Sequence, residues 1–159
     1  MSSKYSAVLA LHILLICVDL GFNTASTIVF NNNNTQLLLF ILQDTAIVMS
    51  IIVLLIAFTS TFVFQAGLIL ILIQKFAAVL VVATIYLILS ITLHVVHLRD
   101  RWGTSQRYIW PVFVTVLYTL QRLTAILHYF FYKRAALFLS DPRFHYDNEW
   151  LREQVRLRN

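Results

Sequence analysis

Charge, glycine, proline and cysteine are all scarce in this chain of 159 residues, and each scarcity excludes something. Charged residues make up 12%, about half the ~25% of soluble proteins, while hydrophobic residues make up 60%. A soluble domain of this size leaves much of its surface wet and could not hide that much apolar side chain. A lipid solvent resolves the mismatch. Three glycines and two prolines give little material for turns, which argues against a strand-rich barrel. The apolar runs are also far longer than barrel strands and show no sustained alternation. The single cysteine, Cys17, excludes an intrachain disulfide and any multi-cysteine metal site. A net charge of +5 does not indicate nucleic acid, because the basic residues are scattered among apolar runs and a short tail. They read as topology markers and as contacts to anionic lipid headgroups.

What is present is a series of long apolar runs. They predict an all-α, integral membrane four-helix bundle with spans at about residues 6–27, 37–58, 78–98 and 109–131. The transmembrane domain covers residues 1–134, and residues 135–159 form a tail. The first run could be read as a secretory signal, with Lys4 before it and Thr24-Ala25-Ser26 as a cleavage site. It is long enough to span, however, and holds Asp19 where a signal core should be apolar. The second run continues from Gln36 almost unbroken to Phe76; as one helix it would be about 60 Å long, twice the ~30 Å hydrocarbon thickness. It therefore has to bend near Thr59-Ser60-Thr61. The remainder, Phe62–Phe76, is either an interfacial or re-entrant segment or a tilted extension of a neighbouring span. Asp141-Pro142 stops the fourth helix, and a short amphipathic C-terminal helix is expected from Asp147 through Trp150, Leu151 and Val155. Phe62, Phe64, Lys75, Trp150, Leu151, Arg152 and Arg156 are the candidate contacts to partners or lipid.

Cation placement orients the chain. Lys4, Lys75, Lys133, Arg134 and Arg143 fall on one side and Arg99, Arg101 and Arg107 on the other, which puts both termini in the cytosol. Asn33-Asn34-Thr35 forms a glycosylation sequon at Asn33 on the opposite side, in a loop that barely leaves the membrane surface.

Three charges fall inside the spans: Asp19, Asp44 and Arg122. A charge at the bilayer centre costs about 2.5–3.5 kcal/mol even on the mildest scale, so each needs a partner. The two aspartates lie at similar depth, and Arg122 leans toward them because helix side chains point to their own N-terminus. An ion pair or triad that locks spans one, two and four is the expectation, with one carboxylate protonated if all three meet. A small channel or transporter using the same three residues is the alternative. His94 and His97 lack a third ligand at metal spacing, and hydrogen bonding between helices is the expected role for His12 and His128. No nucleophile–base set, phosphate loop or metalloprotease signature occurs, so neither catalytic residues nor a cofactor is expected.

Several segments, in order along the chain, resemble the transmembrane protein 138 family of four-span ciliary membrane proteins. They are Gln43-Asp44, Thr61-Phe62-Val63-Phe64-Gln65-Ala66-Gly67-Leu68, Leu89-Ser90-Ile91-Thr92-Leu93-His94-Val95, Gln121-Arg122-Leu123 and Phe131-Tyr132-Lys133-Arg134. Asp141-Pro142 with Phe144, and Trp150-Leu151-Arg152, extend the likeness into the tail, while the asparagine run of the first loop and the connection between spans three and four depart from it. The resemblance implies a non-enzymatic role in cilium assembly and in ciliary membrane-protein trafficking. It implies residence at the cilium membrane, the ciliary base and associated vesicles. The implied partners are transition-zone membrane proteins and opsin-type cargo. Homo-oligomerisation is not readable, since no small-xxx-small glycine motif occurs.

Overall fold

The computed structural model describes residues 3–29, 33–60, 69–102, 111–140 and 156. Among them lie four long helices and no strand: α1 (Ser3–Ile28), α2 (Asn33–Thr59), α3 (Ile69–Arg101) and α4 (Val112–Leu139). The apolar runs form these helices because backbone groups without water must bond within their own segment. Each predicted span falls on one helix, and the boundaries move for local reasons. Pro111 sets the start of α4: it sits at the N-cap with φ −62° and ψ 148°, where its missing N–H leaves nothing unsatisfied. At the other end α4 runs past Lys133-Arg134 to Leu139, and the Ser140 hydroxyl closes it by donating to the Ala136 carbonyl at 2.8 Å. Ile69–Phe76 is the opening of α3, which at 33 residues is about 50 Å long and exceeds the ~30 Å hydrocarbon layer. Residues 61–68, the rest of the connector, lie outside the described residues, as does the tail helix expected from Asp147.

α1 packs on α2, α2 on α3, α3 on α4, and α4 back on α1. Contacts at opposite ends fix the directions: His12 meets Tyr132 while Thr27 meets Tyr118, and Gln36 meets Arg101 while Leu54 meets Phe76. This is an up-down-up-down bundle.

The bundle is apolar outside and partly polar inside. Val112 is 80% exposed, Ile28 76% and Phe113 64%, whereas His12, Asp19, Asn23, Gln43, Ser90, Gln121 and His128 are buried. Water would reverse that distribution; lipid favours it, since the outer face needs only tails and the inner face gains interhelical hydrogen bonds. Ser6–Ile28, Asn33–Thr59 and Phe76–Arg101 are long and apolar enough to cross a membrane. α4 carries more polar residues, but its outward face (Phe113, Val116, Leu120, Leu123, Ile126, Leu127 and Phe130) is as apolar as theirs. The chain is an all-α membrane helical bundle.

The interior repeats at three- and four-residue steps, the spacing that keeps one seam facing its neighbours. On α2 the seam is Gln36, Phe40, Gln43, Ile47, Ser50 and Leu54. On α4 it is Val114, Leu117, Gln121, Ala125, His128, Tyr132 and Ala135. Three apolar layers result. Leu54, Phe76, Val79, Tyr132, Ala135 and Leu139 fill the end nearer both described chain ends. Ile47, Tyr86 and Ala125 lie at the centre, and Leu93, Val114 and Leu117 toward the α1–α2 loop. Polar groups occupy the space between the layers.

Candidate functional site

The seam residues converge on Asn23. On α1, Asp19 and Asn23 are one turn apart and share a face. The Asn23 amide donates to the Tyr86 hydroxyl at 2.7 Å and to the Tyr129 hydroxyl at 2.8 Å. Both tyrosines then donate to one oxygen of Asp19, at 2.9 and 2.7 Å. On its other side the Asn23 carbonyl oxygen accepts from Gln43 at 2.9 Å, from Gln121 at 3.3 Å and from the Arg122 guanidinium. Arg122 also donates to the Asn23 backbone carbonyl at 2.7 Å and to the Thr27 hydroxyl at 3.0 Å, and its guanidinium lies 4.7 Å from the centre of the Tyr118 ring. Gln121 reaches on to the Ser90 hydroxyl at 3.2 Å.

Every bond in this chain runs in one direction, from the cation through a neutral amide and two hydroxyls to the carboxylate. Each donor is polarised by the one before it, so the bonds strengthen one another in a medium of low dielectric. Asp19 and Arg122 therefore belong to one network without touching, and residues from all four helices take part. Asn23 can serve both charges because an amide carries an acceptor and a donor end.

Asp44 goes elsewhere. Its carboxylate faces the His94 Nδ1 at 3.0 and 3.1 Å across the α2–α3 seam, with the Asp44 side chain 25% exposed. His94 is held for this by stacking on Phe40, ring centres 4.0 Å apart and planes 11° from parallel. The three intramembrane charges thus divide between two arrangements, Asp19 with Arg122 and Asp44 with His94. The physical reason is rotational: Gln43, not Asp44, points at the bundle axis, and a one-residue step turns the carboxylate to the α2–α3 face.

A second polar tie lies nearer the far end. The His12 Nδ1 approaches the Tyr132 hydroxyl at 2.7 Å, and that hydroxyl donates to the Ser50 carbonyl at 3.1 Å. With its proton committed to Ser50, Tyr132 accepts from His12, which places the imidazole proton on Nδ1. His128 is buried and stacks on Tyr86 with ring centres 5.0 Å apart. At the α1–α2 loop end, Arg101 donates to Gln36 at 2.9 Å.

Between the central network and that loop end is a cavity of about 50 Å³. Asn23, Thr27, Gln43, His94, Gln121 and Arg122 are among its lining residues, with Phe40 and Leu93. Among the described residues no three His, Cys, Asp or Glu side chains converge as metal ligands would.

Of the other residues singled out in the sequence, Asn33 is the first residue of α2 and is partly buried, and Arg156 is exposed. Phe62, Phe64, Trp150, Leu151, Arg152 and the Lys75 side chain lie outside the described residues. Sequence reasoning missed Asn23, Gln43, Tyr86, Gln121 and Tyr129, because uncharged polar residues are common in membrane helices. Their spacing was the available signal. His12, Asp19 and Ser26 are seven residues apart, as are Gln36, Gln43 and Ser50, and again Gln121 and His128.

The pattern of the family described as Transmembrane protein 138 matches residues 36–154, which include all but the first three residues of α2, the whole of α3 and α4, and most of the tail. The chain belongs to the transmembrane protein 138 family. It is 43% identical to Transmembrane protein 138 of Mus musculus over 153 residues, covering 96% of this chain and 94% of that protein. The relative in Xenopus tropicalis is 42% identical over 95% of this chain and 93% of its own length. The Danio rerio relative is 39% identical over 96% and 94%. No solved structure matches the chain. Membership of this family agrees with the apolar exterior: the chain is a multi-pass membrane protein.

Proposed function

We propose that this member of the transmembrane protein 138 family is a non-enzymatic scaffold or adaptor for other membrane proteins, needed for cilium assembly and ciliary membrane-protein trafficking. In this reading it crosses the bilayer four times, keeps both termini cytosolic, and resides at the cilium membrane, the ciliary base and associated vesicles. The observation that carries the proposal is how the interior polar groups are used. Asp19, Asn23, Tyr86, Tyr129, Gln43, Gln121 and Arg122 bond to one another across four helices, an arrangement that fixes helix positions. A rigid bundle leaves its lipid-facing surface, its connectors and its tail as the parts that meet partners, with transition-zone proteins and opsin-type cargo as the class expected. A conducting role for Asp19, Asp44 and Arg122 has less support, since Asn23 and the two tyrosines tie Asp19 to Arg122 and His94 engages Asp44.

The test is removal of the protein from ciliated cells followed by rescue with the intact chain or a chain ending at Ser140. Loss of cilia or of ciliary receptors, restored by the intact chain, is the expected result. Affinity capture in mild detergent should recover membrane partners with the intact chain and fewer with the shortened one. Normal cilia and normal receptor delivery without the protein would refute the reading. So would an ion flux in proteoliposomes abolished by Asp19→Asn.

A further inference from the structure

We infer that the outer surface of the α2–α3 seam around Asp44 is a docking face for a transmembrane helix of another protein, one that carries a hydrogen-bond donor among apolar residues. The inference rests on the scaffold reading above and gives the place on the bundle where a partner meets it. Asp44 lies eight residues beyond Gln36 on α2, so it stands about 12 Å deeper in the bilayer than the Gln36–Arg101 bond. Its side chain is 25% exposed at that depth, where the surrounding solvent is lipid tail. Oδ1 is buried, so the exposed part is the Oδ2 edge with Cγ and Cβ. The carboxylate is short of donors. His94 Nδ1 brings a single proton and stands 3.0 Å from one oxygen and 3.1 Å from the other, whereas an ionised carboxylate offers about four acceptor sites. The nearest hydroxyls are spent on their own helices: Thr45 donates to the Ile41 carbonyl and Thr92 to the Ile88 carbonyl, each at 2.7 Å. Thr24, Thr84 and Thr119, also on outer faces, are satisfied in the same way, and they ask for no partner.

An intramembrane carboxylate that is open to lipid and short of donors draws one from a neighbouring helix. Phospholipids supply none at this depth, because phosphates and ester carbonyls only accept, and headgroup ammonium and sterol hydroxyl groups stay at the interface. A second copy of this chain fits poorly. Two-fold pairing through this surface would set Asp44 against its own copy, acid on acid. The shape favours a helix from a different chain. Ile41 and Val48 lie one turn to either side of Asp44 and are exposed, as is Ile91, one turn from His94. Apolar residues a turn above and below the incoming donor pack on these three while the donor reaches Oδ2. His94 is held in place by its stack on Phe40, so the acceptor is fixed before the partner arrives.

Energy transfer in phosphatidylcholine vesicles tests the inference. The full-length protein carries a fluorophore on Cys17, which is exposed on α1 and not on this seam. The binding partner is a leucine-rich transmembrane peptide with one central asparagine and an acceptor dye, added in trace amount so that it does not pair with itself. It should bind about tenfold more tightly than the all-leucine peptide, as a hydrogen bond to a charged acceptor requires. Asp44→Leu should remove that advantage. Because Asp44→Leu also breaks the bond to His94, Ile41→Trp and Val48→Trp serve as second variants: they leave the pair intact, cover the carboxylate from either side, and should remove the advantage as well. Equal binding of the two peptides would overturn the inference, as would an advantage that survives all three substitutions. Transfer between two labelled copies of the chain that is lost in Asp44→Leu would overturn the assignment to a different protein. The readout needs no cilia, so its failure is distinct from a failure of the rescue experiment.

Discussion

Replacing Asn23 with leucine removes the one side chain that bonds toward both Asp19 and Arg122 while keeping the branched arrangement of its heavy atoms. No cavity opens, so the stability change comes from the lost network and from fitting two methyl groups where an oxygen and a nitrogen stood. The substitution deletes two bonds donated to Tyr86 and Tyr129 and three accepted from Gln43, Gln121 and Arg122. Side-chain hydrogen bonds within membranes average about 0.6 kcal/mol, and a bond from a charged donor is worth about 1.5 kcal/mol or more. Together these amount to about 4 kcal/mol, an upper figure, because Arg122 keeps the backbone carbonyl and Thr27. A loss of about 2–4 kcal/mol is expected, measured by equilibrium unfolding of the purified protein in mixed micelles. A cycle with Tyr129→Phe sharpens the test, since that change removes only a hydroxyl. If Asn23 and Tyr129 act through one chain of bonds, Tyr129→Phe should cost clearly less in the Asn23→Leu background than in the native one. A loss below about 1 kcal/mol for Asn23→Leu would refute the account of the network. Strict additivity of the two substitutions would do so as well.

Other consequences are simpler. Leu54→Ala opens a hole in the layer formed with Phe76, Val79 and Tyr132 and should cost about 2–5 kcal/mol in the same unfolding assay. Tyr132→Phe breaks the bonds to His12 and the Ser50 carbonyl without changing the packing; about 1 kcal/mol is expected, and no loss would mean the tie contributes nothing. Cys17 is exposed on the outer face of α1, so a lipid-soluble maleimide should label it in vesicles and a membrane-impermeant one should not. Ending the chain after Arg134 should lower the unfolding midpoint of the bundle relative to ending it after Ser140, because Ala135, Ala136 and Leu139 are buried.

Much of the architecture is legible in the sequence because membrane solvation acts on composition. Runs of some 20 apolar residues bounded by charges have one stable form in lipid, which is why the predicted spans fall within or across the observed helices. The end of α1 and the last turn of α3 could be read from where asparagine or arginine begins. The start of α4 was less clear, although Pro111 marks it once its missing N–H is considered. The end of α4 was legible from Asp141-Pro142, just beyond Leu139; what Lys133 and Arg134 did not reveal is that Ala135 and Ala136, which follow them, turn inward. The seven-residue spacing of polar side chains was also present in the sequence, and it identifies the buried face of each helix more directly than apolarity does. In lipid the apolar residues carry no inside–outside information.

The sequence by itself determined that the chain is helical, lives in lipid and must neutralise Asp19, Asp44 and Arg122 inside it. Only the tertiary structure decided how. Pairing depends on the rotation of each helix about its axis, where one residue is about 100°, and on which neutral side chains stand between the charges. Three intramembrane charges suggested an ion pair or a triad among themselves. The packed bundle sends Asp44 to His94 and joins Arg122 to Asp19 through an asparagine and two tyrosines, because those groups reach each charge first.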